Sequence, residues 1–188
     1  LTQMDMILEE ADNFGIKMIL SLADNPTYNT KKTYVNWANS MHDAGLTSSF
    51  PYAGFFTSEY CKDFYKEFID VIVGRYKDHE AVFSWELGNE LRLDRDDPSG
   101  INSSSSANIA LISGEDGWID EMSTYIKSID TNHLVSFGDM AHTYTWTNGD
   151  TVSNGSYYGV DYRLISDLPN IDYLDFHVYP AQGDNVNL

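Results

Sequence analysis

The chain has 188 residues, 42% of them hydrophobic and 14% aromatic, enough apolar material for one domain with a sizeable core and too much for a disordered polypeptide. Its 29 acidic against 11 basic side chains leave a formal charge of -18, which repels phosphate backbones and anionic lipid and so argues against nucleic-acid and membrane partners. A neutral polysaccharide meets no such repulsion, and the 13 Tyr and 4 Trp are flat amphipathic rings of the kind that stack on sugars, although composition alone does not identify a sugar enzyme.

Met4, Ile7, Leu8, Ala11 and Phe14 recur at helical spacing, and Gly15 stands where a helix C-terminus calls for a left-handed residue. Ile16 to Leu22 then reads as a buried strand. Ala23 to Phe56 forms a long loop with room for a short helix from Tyr34 to Met41, and loops this long in compact domains are usually functional. Tyr60, Phe64, Phe68, Val71 and Ile72 trace a second helix between Ser58 and Tyr76, leading into an apolar run that begins at Ala81. Ala81, Val82, Phe83 and Trp85 suit a parallel strand covered on both faces.

Leu91 to Glu115 is read as another long loop with a low-complexity tip from Asn102 to Ser106. Trp118, Ile119, Met122, Tyr125, Ile126 and Ile129 mark the next helix, and His133 to Phe137 the next strand. A third loop, from Met140 to about Gly159, carries Tyr144, Trp146 and Tyr158. A brief helix near Asp161 to Leu168 precedes a last strand from Ile171 to Val178. Helices thus alternate with strands, and the long loops all follow strands, an asymmetry that predicts a β/α barrel. Such a barrel has eight strands, whereas four are legible here, so the chain reads as half a barrel with no linker and no internal repeat.

The single cysteine, Cys61, cannot close an internal disulfide and falls on a helix, which predicts a buried, inert thiol. The five His are scattered without ligand spacing, so neither a metal nor another cofactor is expected, and no Gly-x-Ser-x-Gly is present. No apolar run reaches the length of a membrane span and nothing at Leu1 resembles a secretory signal. Because the chain opens on Leu inside a helical pattern, its N-terminus is expected to lie upstream. Asn102-Ser103-Ser104 and Asn154-Gly155-Ser156 fit the glycosylation pattern, which is frequent by chance.

The chemistry concentrates in Trp85-Glu86-Leu87-Gly88-Asn89-Glu90-Leu91-Arg92, where an amide, a carboxyl and a guanidinium crowd the end of a strand. Carboxyl ends of strands hold the active sites of α/β folds. A glycosidase needs a carboxyl that gives a proton to the leaving oxygen and later takes one from water, and Glu90 has that position. Asn89 is placed to hydrogen-bond a sugar 2-hydroxyl, and Arg92 offers a rigid fork to sugar or carboxylate. Glu86, earlier on the strand, reads as structural and is expected to bind a barrel Arg or Lys.

The octapeptide closely resembles the fourth-strand signature of glycoside hydrolase family 5, best its endo-β-1,4-mannanase branch. Tyr34-Val35-Asn36-Trp37 with Phe55-Phe56-Thr57-Ser58 resembles that branch's third strand-to-helix loop. Lys127 to Ser136 resembles its approach to strand five, and Asp175-Phe176-His177-Val178-Tyr179-Pro180 its strand six. The resemblance covers nearly the whole chain and implies an incomplete (β/α)8 TIM barrel, residues 1–188 forming a partial catalytic domain with about strands three to six. It implies Glu90 as general acid and base and Asn89 as 2-hydroxyl partner. Arg92 would lie on the leaving-group side, His177 would contact substrate, and Tyr179 would orient the nucleophile.

Trp37, Trp146 and Tyr144 are candidate sugar platforms or loop packing, with Trp37 carried forward as substrate-binding. The family's nucleophile is a Glu on strand seven, beyond Leu188. Asp139 and Asp175 do not match its position, so the isolated chain is expected to be inactive. The implied protein is a secreted, monomeric enzyme acting on mannan-type polysaccharide. A β-1,4-glucanase of the same family and a carbohydrate-binding pseudo-enzyme remain alternatives.

Overall fold

The computed structural model describes residues 2–25, 30–46, 52–93, 106–138 and 159–177. Three parallel strands lie side by side in chain order: β1 (Met18–Ser21), β2 (Val82–Glu86) and β3 (Leu134–Ser136). Parallel neighbours need crossover connections, and helices supply them. Helix α1 (Thr2–Asn13) precedes β1. Helices α2 (Thr30–His42), α3 (Tyr52–Thr57) and α4 (Glu59–Tyr76) lie between β1 and β2, and α5 (Ser106–Ser113) and α6 (Trp118–Ile129) between β2 and β3. Helix α7 (Tyr162–Ser166) comes last among the described residues.

The turn from α1 into β1 closes as its sequence predicts. Gly15 adopts φ +66, its N–H bonding Asp12 O while that of Ile16 bonds Ala11 O at 2.8 Å. The helix itself buries only Leu8 and Ala11, and Ile7 and Phe14, which share its predicted stripe, stay exposed. Ile19 of β1 is likewise half exposed, because β1 is an edge strand among the described residues. The expectation of a buried strand therefore fails in part for β1, and that of a strand covered on both faces fails at Phe83 of β2, which is exposed.

Register sorts the strand side chains into two sets. Leu20, Trp85 and Val135 lie abreast, as do Ser21, Glu86 and Ser136 one residue later, and successive residues of a strand point to opposite faces. Trp85 and Val135 are fully buried, so that face belongs to the helix layer. Beside it, Tyr34, Phe55, Phe56, Tyr65 and Trp118 form an aromatic core. Trp118 sits 5.4 Å from Phe55, 5.3 Å edge-on from Phe56 and 5.2 Å from Tyr65. Helix α4 anchors this layer by packing on α2, α3 and α6. Cys61 is fully buried in α4, and burial pushes its thiol up to about 11, the inert state its sequence position predicts.

Three expectations need correction. The supposed loop from 23 to 56 holds a 13-residue helix, α2, longer than the segment read there, as well as α3. The supposed loop from 91 to 115 holds α5. The third concerns the last strand, since residues 171–177 run beside β3 without forming one. Carboxylates explain the third difference. Asp172 N–H does reach Val135 O at 2.9 Å, but the Val135 N–H donates to the Asp172 carboxylate at 2.8 Å rather than to a backbone carbonyl. Gly138 N–H donates to the Asp175 carboxylate at 3.1 Å in the same way. Side-chain acceptors thus replace ladder bonds.

Candidate active site

Beyond Glu86 the chain crosses between the ends of the two flanking strands. Leu87 and Gly88 donate their N–H groups to the carbonyls of Ser136 and Phe137, at 2.9 and 3.2 Å. Asn89 bonds in the other direction, its N–H to Ala23 O at 2.9 Å and its carbonyl to the N–H of Asn25 at 3.1 Å. Glu90 turns back, donating its N–H to Gly138 O at 2.7 Å. Tyr65 supports the segment from below, its hydroxyl donating to Leu87 O at 2.6 Å.

Held from both sides, Glu90 adopts φ +54, a left-handed conformation that costs a side-chain-bearing residue about 1–2 kcal/mol. Strained backbone of this kind collects at functional sites, where the surroundings over-determine it. It places the Glu90 carboxyl, only 8% exposed, between two partners from different segments. His177 Nδ1 lies 2.9 Å from Oε1, and Arg92 Nη1 donates to Oε2 at 3.4 Å. The Arg92 carbonyl in turn accepts from the ammonium of Lys31 at 2.5 Å, and that ammonium lies 5.9 Å from the centre of the Phe56 ring. Lys31 is completely buried in the first turn of α2.

Asn89 sits beside this cluster with its amide Nδ2 donating to Asp24 Oδ1 at 2.9 Å. That bond uses one of two amide N–H groups and fixes the side chain's rotamer, which suits a residue that must present its other polar atoms to a ligand.

Glu86 ends β2, abreast of Ser21 of β1 and Ser136 of β3. The Asp175 carboxylate stands close enough to act on it, so the Arg or Lys expected as its partner is not what the described residues supply. Burial pushes its carboxyl pKa up, the Ser21 hydroxyl opposes this, and the Asp175 carboxylate adds to it. Asp175 is occupied as an acceptor, taking the Gly138 N–H at 3.1 Å and the Ser136 hydroxyl at 3.3 Å, which leaves it poorly placed to attack a substrate.

With this geometry established, the chain can be set beside known proteins. The family model described as GH family 5 beta-mannosidase-like matches residues 1–184. The chain belongs to glycoside hydrolase family 5. It is 32% identical to mannan endo-1,4-beta-mannosidase 1 of Arabidopsis thaliana, an alignment that takes in 94% of this chain and 41% of that protein. It is 33% identical to mannan endo-1,4-beta-mannosidase 1 of Oryza sativa subsp. japonica, over 95% of this chain and 40% of that one. Among solved structures, the endo-1,4-beta-mannanase of Rhizomucor miehei superposes with a TM-score of 0.77 at 33% identity, covering 97% of this chain and 49% of the other. The chain thus spans about two fifths of the length of these curated relatives.

In this family 5 chain the residues singled out from sequence divide three ways. Glu90, Arg92 and His177 meet in one cluster, although His177 touches the Glu90 carboxyl itself, a contact not anticipated for it. Asn89 adjoins the cluster through Asp24. Trp37 lies on α2, its half-exposed ring packed on Tyr34 at 5.3 Å and on Phe64 at 6.3 Å. Tyr179, Asp139, Tyr144 and Trp146 fall outside the described residues. Two features of the site were not read from sequence, the place of Lys31 and the role of Asp175, which was weighed only as a nucleophile. Lys31 lies in the stretch read as loop and carries no local signal, and Asp175 is linked to Glu86 only by the fold.

Proposed function

We propose that this chain is the acid-base portion of a retaining endo-β-1,4-mannanase, contributing about strands three to five of a (β/α)8 barrel with the 171–177 segment in the place of the sixth. The observation that carries the reading is the strained, buried Glu90 at the end of β2, held between His177 and Arg92. The names of the relatives, mannan endo-1,4-beta-mannosidases, supply the substrate class.

In the first half of the reaction Glu90, protonated, gives its proton to the glycosidic oxygen as the bond to the anomeric carbon breaks. Once ionised, its two oxygens accept from the Arg92 guanidinium and from a His177 N–H, which hold the carboxylate in place until water arrives. In the second half Glu90 takes a proton from that water. Asn89 donates to the 2-hydroxyl, an interaction that strengthens as the ring approaches the oxocarbenium-like transition state. The nucleophile belongs to a second carboxylate, about 5–5.5 Å from the first in retaining enzymes, supplied by a residue outside these 188.

Mannan and cellulose differ in configuration at C2, where Asn89 acts. The full-length protein is expected to release reducing ends from galactomannan far faster than from carboxymethyl cellulose, measured side by side at equal enzyme. Preference for the cellulose derivative would make it a glucanase. Binding of mannan without turnover would make it a carbohydrate-binding pseudo-enzyme.

A further inference from the structure

The buried Glu86 carboxyl is not used by this reading. It lies in register with Ser21 and Ser136 on the face that leads up to Glu90, and Asp175 from the 171–177 segment stands beside it, accepting from the Ser136 hydroxyl at 3.3 Å and from the N–H of Gly138 at 3.1 Å. Two carboxyl groups in contact repel unless they share a proton. Burial and the neighbouring Asp175 carboxylate both push the Glu86 carboxyl up from its ordinary value, the direction in which such a pair comes to hold one proton between them. The titratable groups that face it are Asp175 and His177, both from 171–177, while β1 offers the Ser21 hydroxyl.

This pair is tied to Glu90 through one residue. Asp175 accepts the N–H of Gly138, and the carbonyl of Gly138 accepts the N–H of Glu90 at 2.7 Å. Gly138 takes φ +84 and is pressed close. A Cβ there would lie 2.5 Å from Gly88 O and 2.6 Å from the Glu86 carboxyl carbon. The same 171–177 segment ends in His177, whose ring meets the Glu90 carboxyl. Glu86 therefore braces both the peptide that holds the Glu90 backbone and the segment that holds the Glu90 side chain.

We propose that the Glu86–Asp175 pair is a positioning device for the acid-base residue, acting through Gly138 and His177 to aim the Glu90 carboxyl. The proposal rests on the reading of Glu90 as general acid. It separates from a purely structural role by its dependence on the leaving group. A misaimed acid slows cleavage of mannan, whose leaving sugar must be protonated, and spares a dinitrophenyl glycoside, whose leaving group departs without help.

The test measures kcat/KM, which reports steps up to bond cleavage, for β-1,4-mannan oligosaccharide and for dinitrophenyl β-mannobioside. The variants Glu86→Leu, Glu86→Gln and Asp175→Asn are made in the full-length protein, with Glu90→Gln alongside. Glu86→Leu is expected to lose about tenfold to a hundredfold on the oligosaccharide, as a displacement of the order of 1 Å does, and less than about threefold on the dinitrophenyl substrate. Glu86→Gln keeps the shape and donor of the neutral acid and is expected to recover most of that loss. If Glu86→Leu does not fold, Asp175→Asn carries the test with the same selectivity. Equal losses on both substrates in the variants that fold, or none, overturn the positioning role while Glu90→Gln remains selective. A Glu90→Gln enzyme with no such selectivity overturns the acid-base reading itself.

Discussion

Replacing Glu90 by Gln in the full-length protein is expected to lower kcat/KM on unactivated β-1,4-mannan by about 10²–10⁴-fold, the range a positioned general acid contributes. The change is nearly isosteric. Gln keeps a carbonyl oxygen that can accept from His177 or Arg92, so the segment between β1 and β3 should hold its path, and binding of oligosaccharide should be largely retained. What Gln lacks is a transferable proton. The alkaline limb of the kcat/KM profile, which reports deprotonation of the essential acid, is therefore expected to vanish with the carboxyl. Steady-state rates and pH profiles check both statements. Unchanged turnover, or a surviving alkaline limb, would assign the acid to another residue.

The second large effect concerns stability and lies away from the catalytic carboxyl. Asp130, at the C-terminal end of α6, is 1% exposed and accepts four hydrogen bonds. One oxygen takes the Trp85 indole N–H at 2.7 Å and lies 2.7 Å from His133 Nδ1. The other takes the backbone N–H groups of Asn132 and His133 at 2.8 and 3.1 Å. Asp130→Ala strands the buried Trp85 N–H together with three part-buried donors and is expected to cost about 3–5 kcal/mol in urea unfolding. Asp130→Asn keeps one acceptor oxygen and should cost less, about 1–3 kcal/mol.

The same carboxylate gives stability a pH dependence. Burial alone would raise its pKa, but the bonds from Trp85, His133 and the backbone outweigh burial and hold it below the ordinary value of 3.8. A carboxyl depressed in the folded state stabilises fully above its unfolded pKa, and that contribution is lost as pH falls below about 3.8 through the folded value. Asp130→Ala should therefore narrow the stability gap to wild type as unfolding is repeated at lower pH. A constant gap would mean that Asp130 is not held ionised.

The parts of this architecture that were legible in sequence are those that depend on local pattern. The helices before β1, β2 and β3 announce themselves by apolar spacing, Gly15 marks a helix end, and the crowding of Asn89, Glu90 and Arg92 after an apolar run marks a strand end. Where the pattern was weak the reading failed. Helix α5 carries Ile109, Leu111 and Ile112 almost in sequence after a serine run, so no helical stripe stands out. The 171–177 segment has strand-like composition but gives its pairing to the carboxylates of Asp172 and Asp175, a choice fixed by the neighbouring β3.

The site divides along the same line. Its acid was visible because residue type and position in the element coincide. Its supports were visible only in part, since His177 was marked by resemblance but not as the partner of Glu90 across 87 residues, and Lys31, which reaches the Arg92 carbonyl across 61, was not marked at all. Glu86 shows the limit most clearly, because a lone strand carboxylate predicts a cationic partner and nothing local reveals that a second carboxyl takes that place.

The central claim, that Glu90 is the acid and base of a retaining β-mannan hydrolase, is tested most directly by the Glu90→Ala variant of the full-length protein with dinitrophenyl β-mannobioside and added azide. An activated leaving group needs no acid, so the glycosyl-enzyme should form and then accumulate for want of a base. Azide, which needs none, is expected to accelerate turnover and yield the β-configured glycosyl azide, with configuration retained. Turnover indifferent to azide, or an α-configured azide product, would contradict the account.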